Sequence, residues 1–206
     1  MKKLFVIFLC ILAVLAIVAC KNDPESSEAA SEANPYAEPK WEAGVVRVKP
    51  GEGAAYPENQ NDKFQFQLTL VHNAGESIEF VAKFSSNITK ITVRQGGGDN
   101  TRYLDDVSIS SFEKDENGYS IITIPGSSVT PTQNKGADAL TFCTNLGITI
   151  RVPNETRNDA WVAIKNMKLN GVDVDFSEWD IAEDYVTPYY NAPDKLDIKI
   201  VMENEV

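Results

Sequence analysis

The chain contains a single histidine, His72, and three cysteines, Cys10, Cys20 and Cys143. A Ser-His-Asp or Cys-His nucleophile needs an imidazole beside it, so all chemistry of that kind would have to pass through His72. His72 precedes Asn73-Ala74-Gly75 and reads as a solvated residue of a hairpin-like turn. Cys143 lies in the strand-like run Leu140-Thr141-Phe142-Cys143-Thr144, where a lone cysteine behaves as a small buried hydrophobe. Paired carboxylates are the better catalytic case. On a strand, Asp173 and Asp175 would share a face, and Glu178 would join them only through a bulge. Gly96-Gly97-Gly98-Asp99-Asn100 is rich in glycine but lacks the Lys-Ser/Thr and the helix of a phosphate cradle, so it reads as a turn. These residues favour binding over catalysis, and the chain reads as a non-enzyme that requires no cofactor.

Charge narrows the partners. The 206 residues carry 19 Lys and Arg against 30 Asp and Glu, a net charge of −11, which argues against nucleic acid as a partner. Lys2 and Lys3 open the chain, and residues 4–19 follow as an uncharged apolar run. As a helix that run would span only ~24 Å, short of the ~30 Å of a bilayer core, so residues 1–19 read as a signal peptide. Its end, Ile17-Val18-Ala19-Cys20, resembles the bacterial lipobox, with isoleucine where leucine is usual. The resemblance implies cleavage before Cys20, acylation of Cys20 and anchorage to a lipid bilayer in the bacterial cell envelope. The residue after the cysteine, Lys21, is not the aspartate of inner-membrane retention, which leans towards the outer membrane. Two or three acyl chains hold a protein on a membrane where one does not. With Cys10 in the leader and Cys20 lipidated, Cys143 has no disulfide partner, so the exported domain must rely on its core.

Residues 20–40 contain three prolines, repeated Ser, Glu and Ala, and no large aliphatic residue. Such a segment buries too little to offset the entropy of ordering and reads as a flexible tether. Residues 41–206 read as one all-β domain. Phe64, Phe66, Leu68 and Leu70 alternate with polar residues, and Ile78, Phe80, Ala82 and Phe84 do the same. Further strands are expected at 44–48, 91–94, 107–112, 119–124, 147–152, 161–169, 172–176 and 196–202, from β-branched enrichment and period-two patterning. Asn117-Gly118 and Asn170-Gly171 predict type I′ hairpin turns. The pattern slips phase between Ile164 and Met167, which predicts a bulge near Lys165-Asn166. Strands of this number and length predict two antiparallel sheets packed as a sandwich, with 177–193 as a long connection.

Two segments carry a family resemblance. They are Gly75-Glu76-Ser77-Ile78-Glu79-Phe80-Val81-Ala82-Lys83-Phe84-Ser85-Ser86 and Trp161-Val162-Ala163-Ile164-Lys165-Asn166-Met167-Lys168-Leu169-Asn170-Gly171. They resemble the early and late framework strands of jelly-roll carbohydrate-binding modules, the galactose-binding-like β-sandwiches. The resemblance spans about 44–176 and rests on framework residues. It implies a sugar held either on the concave sheet or by loops at one end. The sheet candidates are Gln65, Gln67, Thr69, Thr92 and Arg94, which would otherwise be an ordinary solvated face. The loop candidates are Trp179, Tyr185, Tyr189 and Tyr190, with Arg102 and Tyr103 beyond the glycine turn. Four aromatics in one connection make either a stacking platform or a plug that packs the loop down. Sandwiches of this kind often hold a structural Ca²⁺, here near Glu76 and its neighbours or near acidic residues late in the chain, though no ligand set is legible.

Asp173-Val174-Asp175-Phe176-Ser177-Glu178 also resembles, loosely, the acidic strand of laminarinase-type glycoside hydrolases, with aspartate where their nucleophile is glutamate. The expectation is therefore an envelope lipoprotein whose domain binds carbohydrate without catalysis. The alternative is a structural or adhesive envelope protein that binds a protein partner, and a glycosidase comes third.

Overall fold

A computed structural model of the chain describes residues 33–51, 62–73, 75–95, 101–126, 130–131, 142–179 and 196–206. Residues 1–19, expected to be a signal peptide, and Cys20 lie outside these residues. Among the described residues no helix is long and apolar enough to cross a membrane.

Among the described residues twelve strands follow one another: β1 (Val46–Pro50), β2 (Lys63–Asn73), β3 (Ile78–Phe84), β4 (Lys90–Gln95), β5 (Thr101–Ser108), β6 (Glu113–Lys114), β7 (Ser120–Ile124), β8 (Thr130–Pro131), β9 (Phe142–Arg151), β10 (Val162–Leu169), β11 (Val172–Asp173) and β12 (Leu196–Ile200). They form an all-β sandwich of two antiparallel sheets. One has seven strands in the order β12-β1-β10-β3-β7-β6, with β11 on β10; the other has five, β2-β9-β4-β5-β8. Val46 of β1 is the register partner of both Ile164 in β10 and Ile200 in β12.

Alternation supplies the core. Phe64, Phe66, Leu68, Ile91, Val93, Leu146, Ile148 and Ile150 face inward from the five-stranded sheet, against Val46, Val48, Ile78, Phe80, Ile122, Ile124, Val162 and Ile164 from the other. Full burial of each large side chain contributes about 1.5–3 kcal/mol before entropy is charged against it. The expected slip in β10 is present: its register with β3 shifts between Ile164 and Asn166. Lys165 is thus the extra residue, and Met167 returns to the core.

Several local expectations change. Residues 72–76 do not join a hairpin, because β2 belongs to the five-stranded sheet and β3 to the other. They form a crossover, and His72 is buried at the end of β2 rather than solvated. The strand expected at 107–112 is β5 at Thr101–Ser108, followed by a 3-10 turn at Ile109–Ser111. The strand expected at 172–176 ends at Asp173. Asn170 and Gly171 both take positive φ, 51° and 78°, as a type I′ turn requires. At the other predicted hairpin only Gly118 does, with φ 81°. There the Asp115 carboxylate accepts hydrogen bonds from the backbone N–H of Asn117 and of Tyr119. The Gly118 N–H closes on the Asp115 carbonyl, so the turn keeps Asn117 at negative φ and puts its left-handed residue at glycine.

The folded unit begins at Pro35, ahead of the boundary expected at 41. Residues 35–42 cross the outer side of the seven-stranded sheet as a strap. The Tyr36 carbonyl accepts from Trp161 Nε1 at 2.9 Å. Glu38 accepts from Trp41 Nε1 and Arg47 and pairs with Lys49. The Trp41 ring meets Trp161 edge-on, centroids 4.9 Å apart. Partial burial opposes ionisation of Glu38, but hydrogen bonds from Lys49 and Trp41 and the Arg47 charge outweigh it and lower its pKa.

Candidate functional site

The outer face of the five-stranded sheet is organised in rows, because antiparallel register places every second residue of neighbouring strands side by side. One row is Gln67, Gly147, Arg94 and Arg102 across β2, β9, β4 and β5. The next is Gln65, Thr149 and Thr92. The third is Lys63, Arg151, Lys90 and Ser108. The middle row is buried although it faces outward, with exposures of 4% for Gln65, 6% for Thr149 and 7% for Thr92. Longer side chains of the flanking rows wall it in. The result is an open groove of about 120 Å³, lined by the middle row with Lys63, Arg94, Arg102, Asp105 and Arg151.

Gly147 lets Arg94 lie across the sheet. A Cβ at position 147 would sit 3.2 Å from Arg94 Cγ and 3.3 Å from its Nε. A side chain there would require Arg94 to give way by a few tenths of an ångström. From this position Arg94 Nη2 donates to the Gln65 side-chain oxygen at 3.3 Å.

A bulge builds the opposite wall. β5 carries one extra residue against β4 between Val107 and Leu104, and Asp106 adopts φ 49°, which aspartate tolerates better than most residues. Its N–H donates to Thr92 Oγ1, while its carboxylate accepts from Thr92 Oγ1 and from Arg151 Nε. Arg151 also donates to Asp62, and Arg102 pairs with Asp105. Burial opposes ionisation of Asp106, but the hydrogen bonds from Arg151 and Thr92 and the Arg151 charge win, so its pKa lies below the usual 3.8. The same pair raises the pKa of Arg151 against the opposing effect of its own burial. The groove therefore presents amide, hydroxyl and guanidinium groups in fixed geometry, which is the chemistry of hydrogen-bond and charge recognition.

The structure brings Gln65, Gln67, Thr92 and Arg94 together on this face, with Thr69 further along β2. Arg102 is exposed at the rim of the groove. Tyr103 points the other way: it is buried, and its hydroxyl meets His72 Nε2 at 2.8 Å. It belongs to the core rather than to a sugar platform. Trp179 is half-buried against the core, its ring tilted on Phe176 with centroids 4.6 Å apart, so it packs its own segment down. Tyr185, Tyr189 and Tyr190 lie outside the described residues. Asp175 caps the 3-10 turn Phe176–Glu178 by accepting from Ser177 N–H and Oγ, and it shares no strand face with Asp173. Glu76 accepts from Asn73 N–H and from the Asn170 amide. Among the described residues no group of three or more His, Cys, Asp or Glu side chains could hold a metal ion.

Four lining residues escaped the sequence reading: Lys63, Asp105, Thr149 and Arg151. Three had a signal. Lys63 shares the parity of Gln65, and Thr149 and Arg151 share that of Gly147, within strands that were legible. Asp105 had none, because the bulge breaks the alternation there.

No protein-family model matches this chain, and neither a curated protein nor a solved structure matches it.

Proposed function

We propose that this chain is a lipid-anchored protein of the bacterial cell envelope, with a sandwich domain of the jelly-roll type that binds carbohydrate without catalysis. The observation that carries the binding reading is the groove between the Arg94 and Arg151 rows, where a buried line of Gln65, Thr149 and Thr92 meets cationic walls. Amides, hydroxyls and guanidinium groups are the partners that sugar hydroxyls require, and sheet register holds them at fixed spacing. The strap at 35–42 lies on the opposite sheet and does not itself cover the groove. The anchor reading rests on Ile17-Val18-Ala19-Cys20 and the apolar run before it.

The test is a glycan and polysaccharide panel probed with the full chain in detergent, calcium present. Binding that falls with Arg94→Ala and survives Trp179→Ala supports the groove. Binding lost with Trp179→Ala alone moves the site to the 177–193 connection. A blank panel from folded protein overturns the reading. Cys20→Ser should abolish incorporation of labelled fatty acid in a bacterial host, and persistent labelling would sink the anchor assignment.

One observation favours a protein partner as the second reading. Among the described residues the eleven-residue β2 pairs on one side only, with β9, which leaves its other edge open to an added strand.

A further inference from the structure

We infer that Asn117 and Gly118 form a self-modification site, at which the Gly118 backbone nitrogen closes on the Asn117 side chain and Lys83 activates that nitrogen. The inference is independent of what the groove binds.

The step needs water alone. The Gly118 nitrogen gives up its proton and bonds to Cγ of Asn117, the bond from Cγ to Nδ2 breaks, and Nδ2 leaves as ammonia. Water then opens the five-membered imide at either carbonyl, which leaves an aspartyl or an isoaspartyl residue at position 117. Glycine suits the second position because no Cβ obstructs the ring.

The chain offers this dipeptide twice, at Asn117-Gly118 and Asn170-Gly171, and both asparagines are exposed. Accessibility does not separate them, but hydrogen bonding does. The Asn170 backbone N–H donates to the Ser77 carbonyl at 2.9 Å, its Oδ1 accepts from the Ser77 N–H at 3.1 Å, and its Nδ2 donates to Glu76 Oε1 at 3.0 Å. Reaction there must pull the side chain off a charged acceptor and a backbone donor. Among the described residues no group hydrogen-bonds to the Asn117 side chain. Its backbone N–H donates to the Asp115 carboxylate, and its carbonyl accepts from Lys83 Nζ at 3.2 Å.

The lysine contact carries the activation. Loss of the Gly118 proton spreads negative charge onto the oxygen of the same peptide group, which is the Asn117 carbonyl oxygen. Lys83 already donates to that oxygen, so the charge develops against an ammonium group in place. The same ammonium lies 5.4 Å from the centre of the Tyr119 ring, which helps to hold it there. The Asp115 carboxylate opposes the new charge, and Lys83 offsets it. The Gly118 N–H must first leave the Asp115 carbonyl, 3.0 Å away. That opening is local, because the turn leads from β6, two exposed residues at the end of the seven-stranded sheet.

The full chain is incubated in detergent near neutral pH. Peptide mass mapping follows conversion of amide to acid at 117 and 170, and enzymatic methylation counts isoaspartyl residues. Position 117 should react about tenfold or more faster than the clamped position 170. In urea the two rates should converge. Lys83→Met should slow 117 several-fold and leave 170 unchanged, whereas Lys83→Arg should keep most of the rate. Glu76→Ala should speed 170 alone. Position 170 serves as an internal gauge, since a variant that merely unfolds raises its rate.

Equal rates in the folded protein, or a faster 170, overturn the site, and so does a folded chain in which neither asparagine reacts. A gap that persists in urea assigns the difference to sequence neighbours and overturns the structural argument. An unchanged rate at 117 in folded Lys83→Met overturns the role of Lys83.

Discussion

His72 Nε2 lies 2.8 Å from the hydroxyl of Tyr103, and both side chains are buried, with 2% and 6% of their surfaces exposed. The other ring nitrogen, Nδ1, lies 2.8 Å from the Leu70 carbonyl. A carbonyl only accepts, so Nδ1 carries a proton, and in the neutral imidazole Nε2 accepts from Tyr103. The pair ties β2 to β5 across β9 and β4 through the interior. Tyr103→Phe keeps the ring and deletes that donor, leaving the imidazole acceptor without it in the core. The expected cost is about 1–3 kcal/mol, read as a lower denaturant midpoint at unchanged slope. An unchanged midpoint would show that the pair contributes nothing net.

The strap depends on one carboxylate. Glu38 gathers Trp41, Arg47 and Lys49, and Arg47 is itself buried with Asp197 as its second acidic partner. Glu38→Ala should cost about 1.5–3 kcal/mol, the range of hydrogen bonds to charged groups. Release of the strap would separate the Trp41 and Trp161 rings, so tryptophan emission should shift to the red. Protease cleavage within 35–45 should accelerate. If emission and cleavage both match the parent, the strap is held by something other than Glu38.

Asp106 gives the groove wall a pH dependence of known sign. Its folded pKa lies below the ordinary 3.8, so its ion pair with Arg151 stabilises the fold fully above that value. The contribution drains away as pH falls through the lower, folded value. Asp106→Asn keeps a residue that accepts positive φ and removes the charge. The variant should be less stable than the parent at pH 7, and the gap should close as pH drops below the ordinary carboxylate range. Urea midpoints of both proteins across that interval measure it. A gap that widens on acidification contradicts the assignment.

Most strand faces were legible because side chains alternate with a period of two and the sheets bury one face each. The Ile164–Met167 slip was legible for the same reason, since a phase error in an apolar pattern has few remedies besides a bulge. His72 continues the parity of Phe64, Phe66, Leu68 and Leu70, yet its polar type and the glycine that follows pointed to a solvated turn. A partner 31 residues away satisfies it, and local sequence carries no trace of that partner. Residues 35–40 have no large aliphatic side chains to bury, but a backbone carbonyl at Tyr36 and the Glu38 carboxylate dock them without any. On the groove, Gln65, Thr92 and Arg94 followed from alternation, whereas the placing of Arg94 depends on Gly147 in another strand. The Asp105–Asp106 wall depends on a bulge that no pattern announced.

The antiparallel register of β1 with β12 sets Val46 beside Ile200, and Gly44 N–H reaches the Val201 carbonyl at 2.9 Å. The first and last strands therefore close on each other at one edge of the seven-stranded sheet. The strap reaches β1 from the other end, at Trp161, so β1 is clasped at both ends by segments from opposite extremes of the folded unit, and loosening either one frays the same edge.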